Sequence, residues 1–450
     1  MKKYKITMVG GGLAGSLMAV YFAQRGFEVN LYERRPDMRK ADISAGKSIN
    51  LALSARGIRA LEKVGLKDAI LSKAIAMNGR MIHSEKGELS YQPYGTEGQF
   101  INSVSRGGLN IQLLELADEN PDVHLFFNHK CLDVDLENAV ATFRNEAGEK
   151  VRVESDYVIG GDGAFSAVRM RMMKSGRFDY SQDYTDHGYK ELCIPATANG
   201  EFALDPNSLH IWPRGAYMMI ALPNPDKSFT CTLFYPFEGI NSFESLKTEA
   251  DVRAFFNEHF ADAVPLMPTL VEDYFENPTG TLVTVRCYPW VKGKTALLGD
   301  ACHAVVPFYG QGMNCAFEDC VVMDECIEKH WPNMDKAMDE YQKSRKINAD
   351  AIADLALQNF VEMRDLVGDK DFLHYKKVEH DLCDLYPELF KSQYELVTFS
   401  NVDYSYAQQR GAENTKFVLD LIANGWEDKL SDKAFITNLL QQHRTAATAS

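Results

Sequence analysis

Cysteine is sparse and unpatterned in this chain: nine residues in 450, an odd number, with no C-x-x-C spacing. Structural zinc and disulfide frameworks both need regular cysteine spacing, so neither is expected; reduced, mostly buried thiols are. Cys315, Cys320 and Cys326 fall on one helical stretch at separations unsuited to zinc, and no metal site is expected. Positive charge is short as well. With 48 Lys and Arg against 63 Asp and Glu, the net charge of -15 excludes the basic face that a nucleic-acid partner requires. The last stretch, Asp428–Ser450, is polar and charged, so no membrane anchor is expected there. Internal repeats and low-complexity linkers are missing too. A chain of this length, 45% hydrophobic and 25% charged, has the make-up of an ordinary globular protein of two or three domains.

The richest stretch is Lys5–Arg34. Ile6, Met8 and Val9 suit a buried parallel strand, and Gly10-Gly11-Gly12-Leu13-Ala14-Gly15 follows in the frame G-x-G-x-x-G. Ala14, Leu17, Met18 and Tyr21 then recur at helical spacing, Val29 and Leu31 form a second strand, and Glu33 stands at its end. Glycines in this frame let the backbone approach a pyrophosphate at a helix N-terminus, and the acid takes a ribose hydroxyl. Lys2, Lys3 and Lys5 before the uncharged run Ile6–Ala23 imitate a signal peptide, but three adjacent glycines in mid-run and a one-sided helix argue against one.

Further along, Met77–His83 and Leu89–Tyr94 read as a hairpin that puts Arg80 and Tyr94 on adjacent strands. Arg106 precedes an amphipathic helix marked by Leu109, Leu113, Leu114 and Ala117. Short strands over Val123–Phe127, Lys130–Val134, Ala139–Arg144 and Val151–Val158 lead into Asp162-Gly163-x-x-Ser166-x-x-Arg169, a second strand-turn-helix contact for a nucleotide. From about Gly176 to Phe275, aromatic and β-branched strands separated by Pro-Arg-Gly and Asn-Pro-Asp-Lys turns predict an antiparallel sheet that could wall a flat ligand. A strand at Thr295–Leu298 runs into Gly299-Asp300-x-x-His303 and then a helix after Gly310, and the pattern is helical from Met338 on. The expected fold is α/β: a Rossmann-like dinucleotide-binding domain (1–72, 100–178 and 277–340), an inserted antiparallel β-sheet substrate domain (73–99 and 179–276) and a helical C-terminal region (341–450).

Three nucleotide signatures in this order, without a second complete G-x-G-x-x-G, resemble the flavin-dependent aromatic hydroxylases of the p-hydroxybenzoate hydroxylase class. The stretches GRMIHS, QPYG, LHIWPRGAYMMIALPNPDKSFTCTLFYPF, HAVVPFYGQGMNCAFEDC, NFVEMRD and LVTFSNVDYSYA are most similar to the kynurenine-hydroxylating branch of that class. The resemblance implies FAD as resident cofactor, held by Gly10, Gly12, Leu13, Ala14, Gly15, Glu33, Arg106 and Asp162, with Asp300 on the ribityl chain. The amides of Gly312, Met313 and Asn314, at a helix N-terminus, suit negative charge on reduced flavin. It further implies NADPH as transient co-substrate, O2 as oxygen donor and L-kynurenine as substrate. Arg80 and Tyr94 would bind the carboxylate, Asn359 would help hold the amino-acid end, Tyr394 would close the pocket, and Pro307 and Phe308 would pack beside the rings. Asn359, Glu362 and Met363 sit at i, i+3 and i+4 on one helix face, so the polar pair Asn359 and Glu362 could converge on the ligand. His303 is expected to be a positioned group beside the flavin loop and not a general base. Relatives in animals carry an apolar tail that this chain lacks, so a cytoplasmic enzyme is expected, with a homodimer left open. A benzoate-type substrate and a flavin redox sensor without turnover remain the alternatives.

Overall fold

The computed structural model describes residues 3–40, 50–366 and 369–449, so Lys2 and Ser450 lie outside the described residues, as does Ile49, the first residue of a strand expected over Ile49–Leu53. Its first layer is a six-stranded sheet in the order Val291–Lys292, Thr295–Leu297, Tyr157–Gly160, Lys5–Val9, Glu28–Tyr32, Val123–Phe126, parallel except at the first pair. Ile6, Met8, Val29, Leu31, Val158 and Ile159 are fully buried, as strands covered on both faces require. Helices Leu13–Gln24, Arg106–Asp118 and Gly312–His330 pack into the same core. The run expected as Val151–Val158 is two strands in different sheets, Lys150–Glu154 and Tyr157–Gly160, because Ser155 and Asp156 turn the chain between them.

The second layer is a seven-stranded sheet ordered Gly280–Tyr288, Asp179–Ile194, Phe229–Pro236, Met218–Pro223, Ser208–Pro213, Gly79–His83, Leu89–Pro93. It is antiparallel save for one pair: the strand carrying Arg80 enters from the first layer and lies parallel to Ser208–Pro213. Gly280–Tyr288 continues this sheet past residue 276 by pairing along Asp179–Ile194. One face is sealed by helices Glu249–His259 and Leu270–Glu276, with Trp212, Met219, Cys231, Leu233 and Tyr235 packed on Phe255, Phe256 and Phe260. The other face looks back at the nucleotide sheet across a chamber.

Helix Met334–Val361 spans 28 residues along both layers, and Lys370–Leu385, Gln393–Thr398, Tyr404–Ala423 and Lys433–Ala449 close one end. Among the described residues no helix is long and apolar enough to cross a membrane. All nine cysteines are free, and eight are buried.

Candidate active site

Three glycine turns meet at the carboxyl ends of the parallel strands, where an open α/β sheet takes its ligand. Gly10 has φ +101, and a Cβ there would stand 2.5 Å from the Gly161 carbonyl; one on Gly15 would stand 2.0 Å from the Gly10 carbonyl. These two positions are therefore closed to any side chain. At Gly12 and Gly163, by contrast, a Cβ would meet nothing within 4 Å, leaving open space in front of the turns. Gly12 caps the helix that carries Leu13 and Ala14 without a side-chain hydrogen bond, so its first-turn amides are offered to a ligand.

The side chains around these turns are mostly satisfied by the protein itself. Glu33 accepts from the Gly11 amide at 2.8 Å and from Arg35 Nε at 2.8 Å; burial pushes its carboxyl up, but these bonds outweigh that and hold it below the usual range. Asp162 accepts from Ser166 Oγ at 2.5 Å and the Ala167 amide at 2.7 Å. It shapes its turn, while Gly163, Ala164 and Phe165 face the chamber. Arg169 donates to the Ala301 carbonyl at 2.8 Å and to the Ala164 carbonyl, bolting the second turn to the third. Asn314 Nδ2 donates to the Ala52 and Gly310 carbonyls at 2.8 and 2.9 Å, and its Oδ1 accepts from the Ser54 amide. Gly312, Met313 and Asn314 form the first turn of their helix, and Gln311 caps it without a side-chain bond, leaving those amides for a ligand.

Asp300 and Arg106 differ from these. Both open onto the chamber, and neither forms a hydrogen bond or ion pair among the described residues. The protein bulk around Asp300 raises its carboxyl pKa even though its face is open. His303 sits behind the turn, 3% exposed and outside the chamber wall, with Nε2 2.5 Å from Asp319. Burial opposes its charge, but Asp319, Cys315 and Cys302 outweigh burial and push its pKa well up.

The chamber between the two layers measures about 470 Å³. Leu209, Met218, Ile220, Leu222 and Phe234 of the large sheet face Val305, Pro307 and Phe308 across it. Phe308 stacks on Phe360 at 4.0 Å, and Tyr394 lies between Tyr94 and Tyr309, with centroids 5.3 and 5.6 Å away. The Arg80 guanidinium lies 5.5 Å from the Tyr94 ring and 5.3 Å from that of Tyr394. Arg80 Nε and the Tyr94 hydroxyl are buried and have no hydrogen-bond partner among the described residues. Part of the guanidinium opens to the chamber, yet no carboxylate among the described residues pairs with it. A buried donor left bare costs about 1–3 kcal/mol, more when charged, so this pair is shaped for an anionic ligand.

Asn359 and Glu362 do not converge there. Asn359 Nδ2 donates to the Phe308 carbonyl at 2.7 Å and touches the Met363 sulfur, and Met363 lines the chamber in its place. Glu362 turns towards Lys376, 3.5 Å away, in a separate cavity of about 350 Å³ behind Arg80 and Tyr94. The α-helix ends at Val361 and winds as a π-helix over Glu362–Leu366; the Glu362 amide still bonds to the Gln358 carbonyl one α-turn back, and the two side chains part because the Phe308 carbonyl holds Asn359 and Lys376 draws Glu362.

The family described as FAD binding domain matches residues 3–356. Kynurenine 3-monooxygenase of Myxococcus xanthus is 49% identical over 423 residues, which cover 93% of this chain and 91% of that one. Kynurenine 3-monooxygenase of Dictyostelium discoideum is 49% identical over 431 residues, covering 93% of each. This chain belongs to the kynurenine 3-monooxygenase family. The tetrameric form of 2-methyl-3-hydroxypyridine-5-carboxylic acid oxygenase superposes with a TM-score of 0.67 over 83% of this chain and 96% of that one; at 21% identity it shows the shared fold. FAD is therefore the cofactor, and the glycine turns, the uncapped helix starts and the unpaired Asp300 fit it.

For a member of the kynurenine 3-monooxygenase family, sequence reasoning overlooked several groups. Tyr309 and Phe360 adjoin the assigned Phe308 and Asn359 and carry the aromatic stacks. Arg345 is 1% exposed and binds Glu318 at 2.6 Å and Asp319 at 2.7 Å. Its signal was legible, since an arginine occupies the apolar stripe Tyr341, Arg345, Asn348, Ile352.

Proposed function

We propose that the chain hydroxylates L-kynurenine to 3-hydroxy-L-kynurenine, using NADPH and O2, with the substrate carboxylate on Arg80 and Tyr94. The observation that carries the substrate assignment is the bare Arg80 Nε and Tyr94 hydroxyl at one end of an aromatic-walled chamber. FAD, when bound, supplies reduction by NADPH and activation of dioxygen. A planar guanidinium takes a carboxylate through two parallel hydrogen bonds, and the phenol adds a third. Phe308 and Pro307 then hold the aryl ring flat, and Tyr394, stacked on Tyr94, keeps water out.

The substrate's own amino group activates the ring carbon beside it, so no side-chain base is required. His303 suits a purely positional role, being tied to Asp319 behind the turn. Asn359 acts through the Phe308 carbonyl, and Glu362 acts on Arg80 at longer range. The nine free thiols suit a reducing compartment, and we place the enzyme in the cytoplasm. A homodimer is proposed for its assembly, to be read by light scattering.

The deciding assay adds L-kynurenine to the FAD-loaded protein with NADPH and O2. Faster NADPH oxidation with 3-hydroxykynurenine as product is expected. Stimulation by a benzoate and none by kynurenine would overturn the substrate.

A further inference from the structure

The sealed face of the large sheet, away from the chamber, carries a chain of buried polar side chains. His83 Nδ1 lies 2.8 Å from Asp262 Oδ2, and its Nε2 lies 2.8 Å from His210 Nδ1. His210 Nε2 lies 2.9 Å from the Asp205 carbonyl, and Trp212 Nε1 donates to Asp262 at 2.9 Å. His83 and His210 are 3% and 2% exposed. Arg214 also stands at this end of the strand and donates to the His83 carbonyl at 2.9 Å and to the His259 carbonyl, with the carboxylates of Glu85 near Arg214 and of Asp205 near His210.

The acceptors fix the proton positions. A carbonyl only accepts, so His210 Nε2 carries hydrogen; burial holds His210 neutral, its pKa pushed down to about 4, which leaves Nδ1 a bare acceptor. His83 must then donate from Nε2. Asp262 is a carboxylate: burial pushes it up, but bonds from His83 and Trp212 prevail and hold it below the usual range. Its Oδ2 lies 2.8 Å from His83 Nδ1, so His83 joins the Asp262 loop to the His210 strand through both of its ring nitrogens.

The position of His83 matters because of its strand. Arg80 and Ile82 face the chamber side, so Met81 and His83 face the back. Outside this strand lies only the exposed edge strand Leu89–Pro93. The strand is tied to the body of the sheet by one parallel ladder, Gly79–Ile82 against Ser208–Ile211, the weaker kind of pairing. The His83–His210 bridge doubles that tie from behind.

We infer that His83 is a positioning residue for substrate binding: its bridge to His210 and Asp262 fixes the strand that aims Arg80 into the chamber. His83 touches neither substrate nor cofactor. The inference rests on the reading of Arg80 as carboxylate ligand, and it deepens that reading by naming what holds the ligand still.

Two substrates separate the outcomes: L-kynurenine and its decarboxylated analogue, which lacks the group Arg80 would bind. His83→Leu is expected to raise the KM for kynurenine about tenfold, with kcat and flavin content within about twofold and the analogue's KM unmoved. Asp262→Asn, which keeps the hydrogen bonds and removes the charge, is expected to raise it about threefold, and it decides the matter if His83→Leu does not fold. Equal losses on both substrates, a fall in kcat alone, or no change in either variant would overturn the inference. Arg80→Met is the control: if it leaves the kynurenine KM unchanged, the reading of Arg80 itself fails, whatever His83 does.

Discussion

Polar side chains in the cofactor cradle are mostly occupied before any ligand arrives, whereas the substrate chamber keeps two of its polar groups bare. Glu33, Asp162, Arg169 and Asn314 each bond to the protein's own backbone or side chains, so apart from Asp300 and Arg106 the cradle presents chiefly amides and empty space above glycines. The Arg80 Nε and the Tyr94 hydroxyl are buried without a hydrogen-bond partner among the described residues. The difference suits two kinds of ligand. A resident group is held by a rigid, already stable shape, while a substrate that must come and go is recognised by groups that gain most from its arrival.

The contrast can be broken at its strongest point first. Gly15→Ala should abolish FAD retention, since its Cβ would collide with the Gly10 carbonyl 2.0 Å away; flavin absorbance per protein after purification reads this out. Arg80→Ala should leave flavin content intact and raise the kynurenine KM by tens to hundreds of fold, because losing one partner of a buried charge pair costs about 2–5 kcal/mol. An unchanged KM would remove Arg80 from the site. Arg80→Met sharpens the same point in the free protein: thermal stability should rise by about 1 kcal/mol, a value discounted because part of the guanidinium meets chamber water.

The smallest effect concerns the satisfied side. His303 has a raised pKa, so its pairing with Asp319 stabilises fully below about pH 6.5 and is lost as pH climbs through the raised value. Asp319 is lowered: burial pushes it up, yet His303 and Arg345 prevail, so its contribution holds above about pH 4 and is lost as pH falls through the depressed value. Thermal melts should therefore show a plateau between those limits with a decline on each side. A His303→Gln variant that kept the alkaline decline would assign it elsewhere.

The glycine turns were legible because each makes a local demand, a tight approach or an open space, that only certain residues meet. Arg80 and Tyr94 were legible as neighbours because hairpin pairing follows from short-range spacing. The divergence of Asn359 and Glu362 was not, because three-residue spacing puts two residues on one helix face without showing that partners on other elements, the Phe308 carbonyl and Lys376, draw their side chains apart. Nor was the parallel pairing of the Arg80 strand, which depends on where a segment 125 residues and more downstream settles. The histidine bridge was hidden for the same reason: His83, His210 and Asp262 share no local pattern.

The buried knot around Arg56 has a consequence for the order in which the molecule can be completed. Arg56 binds Glu318, donates to the carbonyls of Val397 and Val402, and lies over the Tyr404 ring; Tyr404 in turn donates to Gln311 at 2.9 Å, at the uncapped start of helix Gly312–His330. The glycine fingerprint leaves the ribosome well before Val397, Val402 and Tyr404, which brace the wall opposite it. A growing chain holds a nucleotide turn long before it holds a finished pocket, so a complete cofactor site has to wait for those later residues.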